Sequence, residues 1–316
     1  MIYEKLTERI EEKRVQRNVP LKDHLSFRVG GPCEIMVFPE NQEEVAYILR
    51  CCREEHAAYF LLGKGSNVIA PDEGYHGVVI KLGEAFNRID VNIAHAGEAQ
   101  SADGEDFVGI TGEITAQSGA TLSAISKKAL EYELAGFEFA SGIPGSLGGA
   151  IFMNAGAYDG EIATYIKNVK VLTPEGEIEE WPREKCAFSY RKSAFQNGGD
   201  VILEATLAFT KGERSEIQRK IEDFTRRRKE KQPLTYPSAG STFKRPQGYF
   251  AGKLIQDAGL MGVSVGGAMV SQLHAGFLIN YDNATAQDIL DLIELVKNTV
   301  YDKFGVMLEP EVRMLG

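Results

Sequence analysis

Apolar residues recur along this chain at helical spacing in some stretches and at strand spacing in others. Leu6, Ile10 and Val15, set among charges, predict an amphipathic helix from Tyr3 to about Gln16. Gly30-Gly31-Pro32 interrupts, and a short strand is expected over Cys33–Phe38. Asn41 is placed to cap the next helix, with Glu44 at the capping-box position and Val45, Ile48, Leu49 and Cys52 inward. His56 falls at its exposed end, and a buried strand is expected over Tyr59–Leu62. A second strand, Val78–Leu82, follows a glycine turn. Phe86–Phe107 is polar and turn-rich and reads as a surface excursion between paired strands, with His95 in solvated loop.

Thr121 caps a helix with Leu122, Ile125, Ala129 and Leu130 inward. Lys167–Leu172 and Ile178–Trp181 read as a hairpin about Pro174-Glu175-Gly176, with Trp181 as packing. The strand Val201–Phe209 precedes a helix from Gly212 to about Lys229, with Ile217, Ile221 and Phe224 inward. Tyr249–Ala258 is a short helix stopped by Gly259, and Gly276–Asn280 a strand. Thr285 caps a long helix carrying Ile289, Leu292, Ile293, Val296 and Val300, closed by Gly305. The last expected strand is Val306–Arg313.

A length of 316 residues suggests two domains at roughly 150 residues each. With 43% hydrophobic and 25% charged residues, the composition is that of a soluble globular protein. A net charge of −10 argues against a general nucleic-acid surface. Cys33, Cys51, Cys52 and Cys186 have neither metal-ligand nor redox spacing, so reduced thiols and no metal are expected. The charged N-terminal stretch does not read as a signal peptide, and no apolar run approaches the ~20 residues of a membrane span. A cytoplasmic protein without membrane partners is expected.

Ala140–Gly160 changes this bland picture. Gly142, Gly145, Gly148, Gly149 and Gly156 lie within it beside Ile143, Leu147, Ile151 and Phe152. A tight turn needs one or two glycines; five point to bare backbone approaching a ligand, with N–H groups offered to phosphate oxygens. No lysine stands in Walker position, so this is not a P-loop. A second stretch, Gly63-Lys64-Gly65-Ser66-Asn67, reads either as a simple turn or as an anion nest. It fails the Rossmann pattern, because Val68 stands where the third glycine would be and a strand follows. Two such stretches together fit a dinucleotide. The Arg226–Lys231 cluster suits a helix C-terminus, and a phosphate-bearing substrate would account for the rest of it. Ser241 has no histidine at triad spacing, so hydrolase chemistry is unsupported. Arg191 reads as a loop cation, and Glu309 and Glu311 as solvated strand residues.

Taken in order, GKGSN, SGIPGSLGGAIFMNAGAYDGEI, SYRKS, AGSTFKRP and AGKLIQDAGL make the chain resemble the UDP-N-acetylenolpyruvoylglucosamine reductase family, nearly end to end. The resemblance implies an α+β protein. Residues 1–212 would be a two-lobed FAD-binding domain of the vanillyl-alcohol oxidase (PCMH) type, and 213–316 a smaller α+β substrate domain. It implies noncovalent FAD, NADPH as hydride donor, and a sugar-nucleotide substrate whose enolpyruvyl group is reduced; a monomer is expected. By motif, the catalytic positions fall on Arg191, Ser241 and Glu311. Cofactor contacts fall on Gly63, Lys64, Gly65, Ser66, Asn67, Gly142, Ile143, Pro144, Gly145, Ser146, Gly149 and Arg313. Substrate contacts fall on Tyr190, Lys231, Arg245 and Lys253, Arg245 standing where some members carry asparagine. The chain resembles the shorter, second type, without the tyrosine-bearing loop. A flavin oxidase of the same fold and a non-catalytic sugar-nucleotide binder are the competing readings.

Overall fold

Val169, Ala205 and Ala116 lie side by side on three antiparallel strands, Ile166–Leu172, Val201–Lys211 and Gly112–Gln117. Each is buried, as are the next inward residues Val171, Leu207 and Ile114, so period-two alternation here builds one packed sheet face. Ile178–Pro182 and Ile89–Ile93 close the two ends of this sheet. Leu122 and Ile125 of the helix Leu122–Glu131, with Leu147 and Ile151 of the helix Leu147–Met153, belong to the same core. The structure, a computed structural model, describes residues 1–93 and 111–315. Most of the expected excursion, His95 with it, lies outside the described residues.

This sheet belongs to the first of two compact units, Met1–Arg14, Phe38–Gly63 and Ile80–Arg227. The second comprises Val15–Val37, Lys64–Val79 and Arg228–Gly316. A 212/213 division would fall just before the helix Arg214–Lys231; the compact units change over near that helix's end. The segment Val15–Val37 joins the second unit through Phe27 and Val29, which enter its core, and through Asn280 Nδ2, which donates to Phe27 O at 3.1 Å. Val15–Pro20 pairs antiparallel with Pro32–Val37, and Val68–Ile69 pairs in parallel with Arg313–Met314.

The second unit has its own core, in which Ile289, Leu292, Ile293 and Val296 of the helix Ala286–Phe304 meet Leu254 and Ile255 of the helix Ala251–Asp257. Thr285 and Asp288 form a capping box at the start of the long helix, and Asp72 accepts hydrogen bonds from Ala286 N and Gln287 N. The Asp288 carboxyl is held below the ordinary aspartate value, first by the Thr285 backbone N–H and then by that of Gly267. A depressed folded-state value stabilises above the ordinary aspartate range and is lost as pH falls through it. Asp288→Ala is therefore expected to cost about 1 kcal/mol at neutral pH. That difference should shrink between pH 7 and pH 3 in chemical denaturation; an equal deficit at both would show the box contributes nothing ionic.

Several expected elements differ. The first helix stops at Thr7, and Val15 enters a strand instead, although Leu6, Ile10 and Val15 are all buried as anticipated. Glu44 does not return to its cap residue; it pairs with Arg14 at 2.6 Å and accepts from Glu40 N. Ile221 and Phe224 are half-buried rather than core, Phe224 stacking on Tyr158 at 4.4 Å. Part of the central glycine stretch is the helix Leu147–Met153 rather than loop. Between Val306 and Arg313 the chain is irregular, pairing only through Pro310 and again from Arg313. A small antiparallel sheet, Ser264–Val265, Ala268–Val270 and Leu278–Asn280, stands where one strand was expected.

Candidate functional site

In the second unit the segment around Ser241 and the C-terminal tail hold each other. Glu311 N donates to Thr242 O at 2.7 Å, Lys244 N donates to Glu309 O at 2.8 Å, and Phe243 bridges Pro310. The Lys244 ammonium also pairs with the Glu309 carboxylate. Thus of the two tail glutamates Glu309 is tied into an ion pair, and Glu311 is the one whose backbone is drawn to the residue after Ser241. Ser241 itself is exposed, with Oγ 3.5 Å from Phe243 O, and the preceding Gly240 (φ +77°) makes the turn. The glycine loop reaches the same tail: Asn67 Nδ2 donates to Glu311 O at 3.1 Å, and Arg313 N to Asn67 O at 3.1 Å. Lys64, Gly65, Ser66, Asn67, Ser241, Glu311 and Arg313 therefore share one unit. Burial lowers the Arg313 guanidinium from its ordinary value, although an arginine stays charged.

Gly65 is buried at φ +65°, and a Cβ there would sit 2.2 Å from His24 O. Its carbonyl accepts from Ser26 N at 3.0 Å. Beside it opens a recess of about 510 Å³ whose walls include Ser26, Arg28, Lys64, Tyr236 and Ser238. Of the expected substrate residues in this unit, Lys231 is exposed at the end of its helix. Arg245 lies over the Phe250 ring at 4.0 Å, and Lys253 pairs with Asp257 one helical turn on.

In the first unit Gly63 approaches the second glycine stretch. A Cβ on Gly63 would lie 2.3 Å from Ser146 Oγ, and one on Gly149 3.5 Å from the same oxygen. Ser146 is buried and bridges Thr121, and Leu122 N donates to Gly145 O at 3.2 Å, so this stretch is fixed against the helix Leu122–Glu131. Ile143 N, Leu147 N and Gly148 N are spent on Ala140 O, Ala120 O and Ser118 O. Gly142 lies in a turn and Pro144 in the irregular segment between it and the helix Leu147–Met153. The cradle between Gly63 and Ser146 is one that any side chain at position 63 would fill. Residues of this kind fit a flavin dinucleotide, whose pyrophosphate needs backbone at close range.

Tyr190 and Arg191 are the two central residues of a tight turn closed by reciprocal Ser189–Lys192 backbone hydrogen bonds of 3.1 and 3.0 Å. Arg191 adopts φ +57°, a left-handed conformation that disfavours any residue with a side chain. Its Nη2 donates to Gly156 O at 3.0 Å and its Nη1 to Asn154 O at 3.4 Å, while the guanidinium lies 5.2 Å from the half-exposed Tyr190 ring.

Sequence reasoning passed over two residues. His274 hydrogen-bonds Gly276 N through Nδ1 at 3.1 Å, which puts its ring proton on Nε2, and burial lowers its pKa so that the neutral form is favoured. A Cβ on Gly276 would touch both His274 and, at 3.5 Å, Ser241 Oγ. Asn154 was the other, embedded in the glycine stretch and fully buried. No spacing rule links either to Ser241 or Arg191. Among the described residues no cluster of His, Cys, Asp and Glu is placed to hold a metal ion, and no helix is long and apolar enough to cross a membrane.

Two family models match: an FAD binding domain over residues 33–181, and the C-terminal domain of UDP-N-acetylenolpyruvoylglucosamine reductase over residues 232–315. The chain is 49% identical over 314 residues to the UDP-N-acetylenolpyruvoylglucosamine reductase of Clostridium perfringens (strain SM101 / Type A), covering 99% of this chain and 97% of that one. It is 47% identical over 316 residues to the enzyme of the same name from Lachnoclostridium phytofermentans, covering 100% and 97%. Among solved structures, UDP-N-acetylenolpyruvylglucosamine reductase from Thermus caldophilus superposes with a TM-score of 0.77 at 32% identity, covering 96% of this chain and 99% of that one.

Proposed function

The chain belongs to the UDP-N-acetylenolpyruvoylglucosamine reductase family and is an FAD-containing oxidoreductase, and we propose that it reduces the enolpyruvyl group of UDP-N-acetylenolpyruvoylglucosamine with NADPH, yielding UDP-N-acetylmuramate for peptidoglycan precursor synthesis. When bound, FAD supplies the hydride chemistry, accepting from the nicotinamide and passing on to the enol-ether carbon. The chain's own residues then have to manage negative charge that grows on the neighbouring carbon and its carboxylate. Arg191 is assigned to that charge, as a permanently cationic fork able to hold a carboxylate. Glu311 is assigned to the same group, to which its carboxyl would donate a hydrogen bond in its acid form. Ser241 delivers the proton to carbon; its hydroxyl is a weak acid, but a nascent enolate is base enough when distance and alignment are fixed. Lys64, Gly65, Ser66, Asn67 and Arg313, with Gly63 and the 142–149 stretch, are assigned to the cofactor. Tyr190, Lys231, Arg245 and Lys253 are assigned to the sugar nucleotide.

The observation that carries this reading is the 2.7 Å hydrogen bond from Glu311 N to Thr242 O, with Asn67 donating to Glu311 O. These bonds place the backbone of Glu311 beside the residue after Ser241 and beside the GKGSN loop, which supports assigning all three to one site. Under anaerobic conditions the purified yellow protein is expected to bleach with one equivalent of NADPH and regain its colour with the enolpyruvyl sugar nucleotide. Bleaching by a sugar or alcohol with recovery only in oxygen would make it an oxidase. A colourless protein that binds the sugar nucleotide would make it a binder.

A further inference from the structure

Asn154 is a fully buried polar residue that the assignments above leave unused. It terminates the helix Leu147–Met153 in the left-handed conformation, φ +42°. Its side chain hydrogen-bonds three segments: Nδ2 donates to Ser189 O at 3.0 Å and to Glu161 Oε2 at 3.2 Å, and Oδ1 accepts from Ala163 N at 3.1 Å. Its own carbonyl accepts from Arg191 Nη1 at 3.4 Å. The same helix end holds the turn at other points. Ser193 Oγ and Gln196 Nε2 donate to Phe152 O at 2.8 and 2.9 Å, and Gln196 Nε2 also donates to Arg191 O at 3.1 Å. Arg191, at φ +57°, sits in a conformation that persists only where its surroundings dictate it. Asn154 grips both the residue that opens the turn and the guanidinium that projects from it. Few side chains could replace it, because the site demands left-handed backbone together with a donor and an acceptor on a short stem.

We propose that Asn154 is a positioning residue for Arg191, fixing its backbone and guanidinium so that the charge is aimed before substrate arrives. The inference rests on the assignment of Arg191 to the enolpyruvyl carboxylate. Asn154→Gly keeps the left-handed backbone and the carbonyl acceptor while removing the side-chain hydrogen bonds. Asn154→Asp fills the same volume and keeps the acceptor for Ala163 N, but loses the donors; it serves if the glycine variant does not fold. In anaerobic stopped flow, either variant is expected to be reduced by NADPH at the wild-type rate. The limiting rate of reoxidation by substrate should fall about 100-fold, with the half-saturating concentration changed less than threefold. Combined with Arg191→Ala, it should slow the reaction no further than Arg191→Ala alone. A purely structural role predicts losses that multiply in the double variant, and that result, or single variants that reoxidise at wild-type speed, overturns the proposal. If Arg191→Ala itself reoxidises normally, the assignment of Arg191 has failed; if it is slow while the Asn154 variants are normal, only the present inference has.

Discussion

Ser241→Ala is expected to accept hydride from NADPH at the wild-type rate and then stall, with reoxidation by the enolpyruvyl substrate slowed about 10³-fold, within the span usual for loss of a positioned proton donor. The separation follows from where the residue acts. Reduction of the flavin needs no proton at the substrate carbon, whereas completion of the second half-reaction does. The side chain is small, exposed and followed by a backbone that is independently fixed, Thr242 N donating to Gly276 O at 2.9 Å and Thr242 O accepting from Glu311 N. Removing one hydroxyl therefore should leave the turn, the tail at Glu311 and the loop at Asn67 in place. Thermal midpoint and flavin content should match the wild type. A variant that turns over within tenfold of the wild type would mean the proton comes from elsewhere, and the neutral His274 on the other side of Gly276 would be the first residue to test.

Where sequence and structure agree, the signal is local. Asn41, Thr121 and Thr285 each accept from a backbone N–H three residues on, as capping residues placed before apolar-periodic runs should. The hairpin of Ile166–Leu172 and Ile178–Pro182 likewise follows from alternation and a Pro-Glu-Gly turn. Where they part, a partner distant in sequence decides. Val15 fits the helical face of Leu6 and Ile10, but pairing with Val37 draws it into a strand. The tail 306–313 has strand composition, yet it meets a single bridge, Pro310 with Phe243, and then the two-residue strand Val68–Ile69 from Arg313 on, so no continuous strand forms. Gly148 and Gly149 disguise a helix, because glycine disfavours one by about 1 kcal/mol per residue. Close packing explains the first of them: a Cβ on Gly148 would lie 2.9 Å from that of Ser118. The same limit applies to the site. Motifs identify Arg191, Ser241 and Glu311 one at a time, while the bonds that hold Arg191 run through Asn154, thirty-seven residues away, and no periodicity encodes them.

Gly65→Ala should yield protein that purifies without its yellow colour, with FAD affinity reduced at least about 100-fold, or near 2.8 kcal/mol. Left-handed backbone costs an alanine about 1–2 kcal/mol, and here the added carbon also meets His24 O at 2.2 Å, a backbone atom that cannot turn aside. The loop must move, and it does not move alone. Gly65 O anchors Ser26 N, and Asn67, two residues on, anchors Glu311. Displacement thus spreads from the nest to Glu311. Gly176→Ala separates strain from function: Gly176 is also left-handed, φ +94°, in a hairpin turn where a Cβ meets nothing within 4 Å. That variant should lose roughly 1 kcal/mol of stability and remain yellow. Equal flavin content in the two alanine variants would show that the GKGSN loop carries no cofactor, and the pyrophosphate would then have to be sought along the 142–149 stretch alone.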